Sequence, residues 1–192
     1  MDQIMGVVDA YAAVREAICT AHSPLASGAS VLTPAPGGYY NFSQPTIYWS
    51  AAAVRSTTDW DIRLYQNPTG GSGNVCFSGL LASSVALAGT TDFVIGDFNH
   101  NALGTYYVYD YQYPDNLTLA DGRTEWDDGA DQLVVNGPLV TRSTGATDLI
   151  EVWDVFLDAG TIYTIEFLRF GADTKVLLFR NPASAAYWAG RS

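Results

Sequence analysis

Apolar and polar residues alternate over most of this chain, and in two places they do so in the same order. Thr161 to Pro182, TIYTIEFLRFGADTKVLLFRNP, repeats much of Trp49 to Pro68. Asp173 falls on Asp59, with no gap from Arg55/Arg169 to Asn67-Pro68/Asn181-Pro182. Leu64 meets Leu178, Ile62 meets Val176, Tyr65 meets Phe179 and Trp49 meets Tyr163. Each copy holds an alternating strand, a polar turn and a second strand closed by Asn-Pro, a pattern that predicts a β-hairpin opening an all-β unit. Only the front half of the unit appears a second time.

Between the copies the alternation predicts strands at about Thr46 to Arg55, Asp61 to Gln66, Asn74 to Phe77, Asp92 to Phe98 and Gly104 to Tyr113. Turn residues such as Thr57-Thr58-Asp59 and Ala88-Gly89 divide them. Many short strands with turn signals between them predict a sandwich or barrel, with Trp49, Ile62, Leu64, Phe93 and Ile95 among its buried residues. A second unit is expected from about Thr124, with strands at Gln132 to Asn136, Leu149 to Leu157, Thr161 to Arg169 and Lys175 to Phe179. Asp158-Ala159-Gly160 is its tight turn.

The period changes at the start of the chain. Ile4, Val7, Val8, Tyr11, Val14 and Ile18 recur at helical spacing behind Asp2, and Ser23-Pro24 ends the run. Such a helix either packs on its own sandwich or docks on a neighbour. Leu25 to Pro45 is rich in Ala, Ser, Gly and Pro. The expected organisation is therefore an N-terminal helix (1–24), a linker (25–45), a complete β-sandwich (46–123) and a partial second unit (124–192).

Charge narrows the choice of partners. Twenty acidic residues against nine basic ones leave nothing to neutralise a row of phosphates, which argues against nucleic acid and anionic membrane surfaces. No run reaches the roughly 18 apolar residues of a membrane span. With only 15% of residues charged and a surface of Gly, Ser, Thr, Asn and Tyr, the composition suits an extracellular or cell-surface β protein. Met1 to Thr20 lacks the basic start of a secretory signal, so an export leader is expected to lie outside this sequence. Cys19 and Cys76 form no metal-ligand or CxxC pattern; a disulfide and two buried thiols are both open.

Three stretches resemble one family. Asp148 to Pro182, with EVWDVFLDAGTIYTIEF followed by ADTKVLLFRNP, is similar to the front half of the bacterial pre-peptidase C-terminal (PPC-like) domain. STTDWDIRLYQN (Ser56 to Asn67) resembles that family's acidic turn and strand. DFVIGDFNHNALGTYYVYDY (Asp92 to Tyr111) resembles its closing strands. The resemblance implies a jelly-roll or Greek-key β-sandwich, found as a non-catalytic appendage of secreted peptidases and in arrays within large exported proteins, whose relatives bind collagen or carry calcium. The fold class expected is all-β: one complete and one partial sandwich repeat behind a helix.

Candidate chemistry is sparse. Asp59 and Asp61 lie two apart and share a side of a strand; with Asp92 or Asp97 they form a set suited to calcium, or else an Asx turn beside a solvated Asp61. No other cofactor is indicated. Trp126-Asp127-Asp128-Gly129 with Asp131 is a second oxygen cluster, or a turn between units. Tyr107, Tyr109, Tyr111 and Tyr113 put four phenols on one face of one strand, opposite Val108, Asp110 and Gln112. That face either binds a glycan or fibrous protein or, given the polar residues opposite, packs inward. His22 and His100 are the only histidines, with no GxSxG, HExxH or phosphate loop, so no catalytic residue is assigned.

Two functions follow. The first is a non-catalytic structural or adhesive protein that associates with copies of itself, as a homo-oligomer or filament. In it a neighbour covers the half-built second unit, whose edge carries Phe167, Val176 and Leu178, unless the chain is a fragment of a longer array. The second is an accessory domain of a secreted hydrolase, binding a glycan, a collagen-like chain or a calcium-organised ligand.

Overall fold

The computed structural model describes residues 22–33, 37–44, 49–68, 77–97, 104–113, 121–129, 131–142, 147–168, 176–178 and 187–191. Residues 1–21 of the expected N-terminal helix, both cysteines and His100 lie outside these residues, and Trp49 and Asp97 are described in their backbones only; Ser23–Pro24 and the stretch expected as a linker (25–45) form strands, with Tyr40 and Phe42 in the core.

Twelve strands make up the described fold: β1 (Ser23–Pro24), β2 (Val31–Thr33), β3 (Gly37–Gln44), β4 (Trp49–Arg55), β5 (Trp60–Pro68), β6 (Phe77–Ser84), β7 (Thr91–Asp97), β8 (Gly104–Gln112), β9 (Gly122–Asp128), β10 (Asp131–Leu133), β11 (Trp153–Val155) and β12 (Tyr187–Arg191). Two five-stranded sheets hold most of them, in the orders β1-β3-β8-β5-β6 and β12-β7-β4-β9-β2; β10 and β11 form a parallel pair of their own.

One core lies between the two sheets. From the first sheet come Tyr40, Phe42, Trp60, Ile62, Leu64, Tyr106 and Val108, and from the second Ala52, Val54, Val94 and Trp126. Phe42 stacks on Trp126 with ring centroids 4.6 Å apart, joining β3 of one sheet to β9 of the other. Alternate residues of each strand point into this layer, which is what a sandwich of two facing sheets requires. Ile62 and Leu64 are buried in this core as the alternation predicts, but on β7 it is Val94 that faces it; Ile95 and the half-buried Phe93 lie on the other face of the strand, in a separate cluster with Ala51 and Val152.

The turn after β4 does not make a hairpin. β4 and β5 belong to opposite sheets, so Ser56 to Asp59 carries the chain across the sandwich. Val54 and Ile62 therefore meet in the core rather than sitting on neighbouring strands of one sheet. Asp121 holds this crossing in place. Its two carboxylate oxygens accept hydrogen bonds from the Thr57 hydroxyl (2.7 Å), the Thr58 amide and hydroxyl (3.1 and 2.7 Å) and the Trp60 indole (3.0 Å). The next residue must be small, because a Cβ on Gly122 would come within 2.8 Å of the Trp60 ring.

Two parts of the expected second unit differ from the sequence reading. The boundary expected between 123 and 124 falls inside β9, a strand that pairs with β4 on one side and β2 on the other. The expected pairing of Leu149–Leu157 with Thr161–Arg169 is absent from the described residues: 156–168 carry no strand, although Gly160 makes the predicted turn at φ 81°. β12 pairs antiparallel with β7 at the edge of the second sheet.

Candidate functional site

Tyr107, Tyr109 and Tyr111 of β8, and Tyr113 just past its end, point outward. Tyr107, Tyr109 and Tyr111 are half-buried and Tyr113 is exposed, whereas Tyr106, Val108, Asp110 and Gln112 face the core. The polar side of β8 is the inner one, the reverse of the inward-packing alternative. Interior hydroxyls offset part of the cost, although Oδ1 of Asp110 has no hydrogen-bond partner. Thr124 on β9 donates to Asp110 in a short hydrogen bond and lies 2.6 Å from the Thr33 hydroxyl. Burial pushes the Asp110 carboxyl well above the usual range, and the charge of Asp92 adds to it, so the interior favours its neutral form.

On the outer face the neighbouring strands complete a patch. Register places Tyr39 beside Tyr109, Asn41 beside Tyr107, Asp61 beside Tyr111, Arg63 beside Tyr109 and Tyr65 beside Tyr107. The rings are stacked on one another: Tyr39 on Tyr109 at 4.5 Å and Tyr109 on Tyr111 at 5.2 Å. The Arg63 guanidinium lies 4.7 Å from the centre of the Tyr111 ring. At the other end His22 meets Tyr107 edge to face at 5.2 Å and bonds to the Asn41 side chain at 3.0 Å.

Burial raises the Tyr109 hydroxyl, reinforced by Tyr39, and lifts Tyr111 to about 12, with Asp61 adding to the rise. These phenols keep their protons at any physiological pH and offer both donors and acceptors. Because ring faces are spent on each other and on Arg63, the patch presents edges and hydroxyls. Its rigidity means that little side-chain freedom is lost on binding.

Past Tyr111 the patch opens into a shallow groove lined by Asp59, Asp61, Arg63, Tyr113 and the 85–87 segment. Asp61 is buried, not solvated, and accepts from the Tyr111 hydroxyl. Burial raises its pKa to about 6, with Asp59 and Asp92 adding to the rise and Arg63 opposing it. Asp92 points inward and accepts from the Ala86 amide at 3.0 Å. Three of the four acids proposed from sequence as a calcium set therefore act on one another electrostatically without converging. Among the described residues no group of three or more His, Cys, Asp or Glu side chains is placed to hold a metal ion.

A second acidic region covers the outside of β9, whose Trp126-Asp127-Asp128 end was expected to be an oxygen cluster or a turn between units. Glu125 accepts from the Leu149 amide and Asp127 from the Val152 amide, both at 2.6 Å, so residues 147–153 lie across the sheet as a strap. Val152 and Ile150 pack on Ala51, Ile95 and Phe93 beneath it. Arg142 bridges Asp131 at 2.8 Å and Glu151 at 3.8 Å and lies over Trp153. Burial, with neighbouring carboxylates adding to it, raises both Glu125 and Glu151 to about 7. The alternating charges of Gly122–Asp128 are the signal that could have marked β9 as a strand.

Beyond the strap the chain leaves the sandwich. Phe156 is 74% exposed, Ile162 97% and Leu178 69%, and Ile165, Phe167, Leu168, Val176 and Leu177 are all more than half exposed. This is the segment that repeats β4 and β5, whose own residues are central to the two sheets.

Comparison with known proteins finds no family model that matches the chain and no curated protein with significant similarity to it.

Proposed function

We propose that the chain is a non-catalytic structural or adhesive protein of the cell exterior that associates with copies of itself. The observation that carries this is the exposure of residues 156–168 and 176–178. Apolar surface of this extent is rare on a monomer and marks an interaction site. The segment has the sequence of core strands, and 161–168 combines high β-propensity with one charge and no proline, which favours strand pairing between chains. A second copy presents the same residues, so each buries what the other exposes. A self-complementary contact closes into a dimer, while a head-to-tail one grows into a filament. The PPC-like resemblance of Asp148 to Pro182 agrees with a second sandwich that a neighbour completes, and supports a jelly-roll relationship for both units.

The test is the mass of the full chain over a concentration series, by light scattering and negative-stain microscopy. Wild-type protein should grow in mass or form fibres, and the double change Ile162→Lys with Phe167→Lys should remain monomeric. A wild-type chain that stays monomeric at high concentration, with slowly exchanging amides over 156–168, rules the proposal out.

The outward tyrosine face favours a second reading, an accessory binding domain. Its preformed row of phenol hydroxyls suits an extended polymer with carbonyl or hydroxyl groups. Pull-down on insoluble protein fibres and polysaccharides, repeated with Tyr109→Ala, separates this from self-association.

A further inference from the structure

We infer that the tyrosine face of the first sheet is the docking surface for the segment of this same chain that precedes His22, residues 1–21, through its apolar stripe. His22 already lies on that face. Its ring meets Tyr107 edge to face at 5.2 Å and bonds to the Asn41 side chain at 3.0 Å. The direction of the chain agrees with this position. β1 runs parallel to β3, with Ser23 opposite Tyr40 and Pro24 opposite Asn41, so the chain reaches Ser23 from the side of Gly37 and Tyr39. Those two residues pair with Tyr111 and Tyr109. The segment therefore approaches along the tyrosine row, and docking on a neighbour instead would require it to turn away just before His22.

Burial marks the face as a covered one. Tyr65 stands on the outward side of β5, away from Ile62 and Leu64, yet it is 2% exposed and packs with Tyr39, Tyr107 and Tyr109. Tyr113, beyond the end of the row, is 64% exposed. The sequence of the segment supplies a matching surface. Ile4, Val7, Val8, Tyr11, Val14 and Ile18 recur at helical spacing, and Asp2, Asp9 and Glu16 fall on the other side. As a helix, the stripe from Ile4 to Ile18 is about 21 Å long, enough to cover the row from Tyr107 to Tyr111, about 13 Å along the strand. Phenol rings give such a stripe flat apolar area while their hydroxyls reach water at the rim. The contact does not depend on self-association through 156–178. It does limit binding of an extended polymer, which reaches the tyrosines only after the segment has left them.

The experiment is NMR on the full chain carrying Ile162→Lys and Phe167→Lys, so that association through the exposed segment plays no part. Nuclear Overhauser contacts are expected from the methyl groups of Val7, Val14 and Ile18 to the rings of Tyr107, Tyr109 and Tyr111. A sample that mixes methyl-labelled with ring-labelled chains separates contacts within a chain from contacts between chains. Adding Val7→Asp with Val14→Asp should remove the contacts and raise nitration of Tyr109 by tetranitromethane severalfold, whereas Asp9→Asn, on the other side of the segment, should do neither. Absence of methyl-to-ring contacts, contacts found only between chains, or equal nitration of Tyr109 in the two variants each overturns the proposal.

Discussion

The indole nitrogen of Trp60 donates to Asp121 Oδ1 at 3.0 Å, tying the first residue of β5 to the residue that precedes β9. Three residues on one side of the sandwich thus share a carboxylate with the strand that follows from the other. Burial alone would raise the pKa of Asp121, but the hydrogen bonds from Thr57, Thr58 and Trp60 outweigh it and hold the group at about 2.

Replacing Asp121 with Ala should destabilise the fold by roughly 1–3 kcal/mol, as expected when several hydrogen bonds to a charged acceptor are removed. Because the folded pKa is depressed, the wild-type advantage is present above about pH 4 and is lost as pH falls towards 2. Urea denaturation of both proteins at pH 7 and pH 2.5 measures it; equal differences at the two pH values would contradict the assignment.

The strap should respond to pH in the opposite sense. Glu125 and Glu151 have folded pKa values of about 7 against 4.5 for the free group, so the folded state holds protons that the unfolded chain has released. Their contribution is complete below about pH 4.5 and declines as pH rises through 7. Amide exchange at Leu149 and Val152, corrected for its intrinsic pH dependence, should show less protection at pH 8 than at pH 5. Glu125→Gln keeps an acceptor for the Leu149 amide and should flatten the trend.

Asp110→Asn offers a cleaner test of the interior. The folded carboxyl is raised above the 3.8 of the unfolded one, so ionisation of the unfolded chain draws stability away as pH rises. An amide keeps the carbonyl that accepts from Thr124 and removes the titration. The variant should melt higher than wild type at pH 8 and close to it at pH 4.

Much of this architecture was legible in local pattern. The alternation of Gly104–Gln112 located β8, and the Ser-Thr-Thr-Asp run located the turn after β4. Pattern could not say which side of β8 was inner, because Tyr outranks Asp and Gln in apolar area. The decision came from partners distant in sequence: Thr124, itself paired with Thr33, donates to Oδ2 of Asp110. The same limit hid the crossing at Ser56 to Asp59: a polar turn between two strands looks alike whether they pair in one sheet or face each other across two. β9 was missed because three of its residues are acids. Two of these meet backbone amides of a segment about 25 residues further on.

The repeat itself can be tested by a matched pair of changes. Ile62 is fully buried and its counterpart Val176 is 56% exposed. Ile62→Ala should cost about 2–5 kcal/mol. Val176→Ala should change the stability of the isolated chain by less than about 0.5 kcal/mol, the usual range for surface positions, while reducing self-association. Equal costs in dilute protein would show that the two copies fold alike.

The exposed segment leaves the sandwich beyond the strap that Glu125 and Asp127 of β9 hold, and the chain returns as β12, in the same sheet as β9. A neighbouring molecule that pulls on this segment therefore loads one sheet at two unequal anchors. β9 is gripped on both sides, by β4 and β2, and its removal would tear two ladders at once. β12 is an edge strand whose one ladder, across Tyr187–Arg191, is with β7. Under tension β12 should peel first, one rung after another, lengthening the connection while the tyrosine-faced sheet and the core beneath it stay intact.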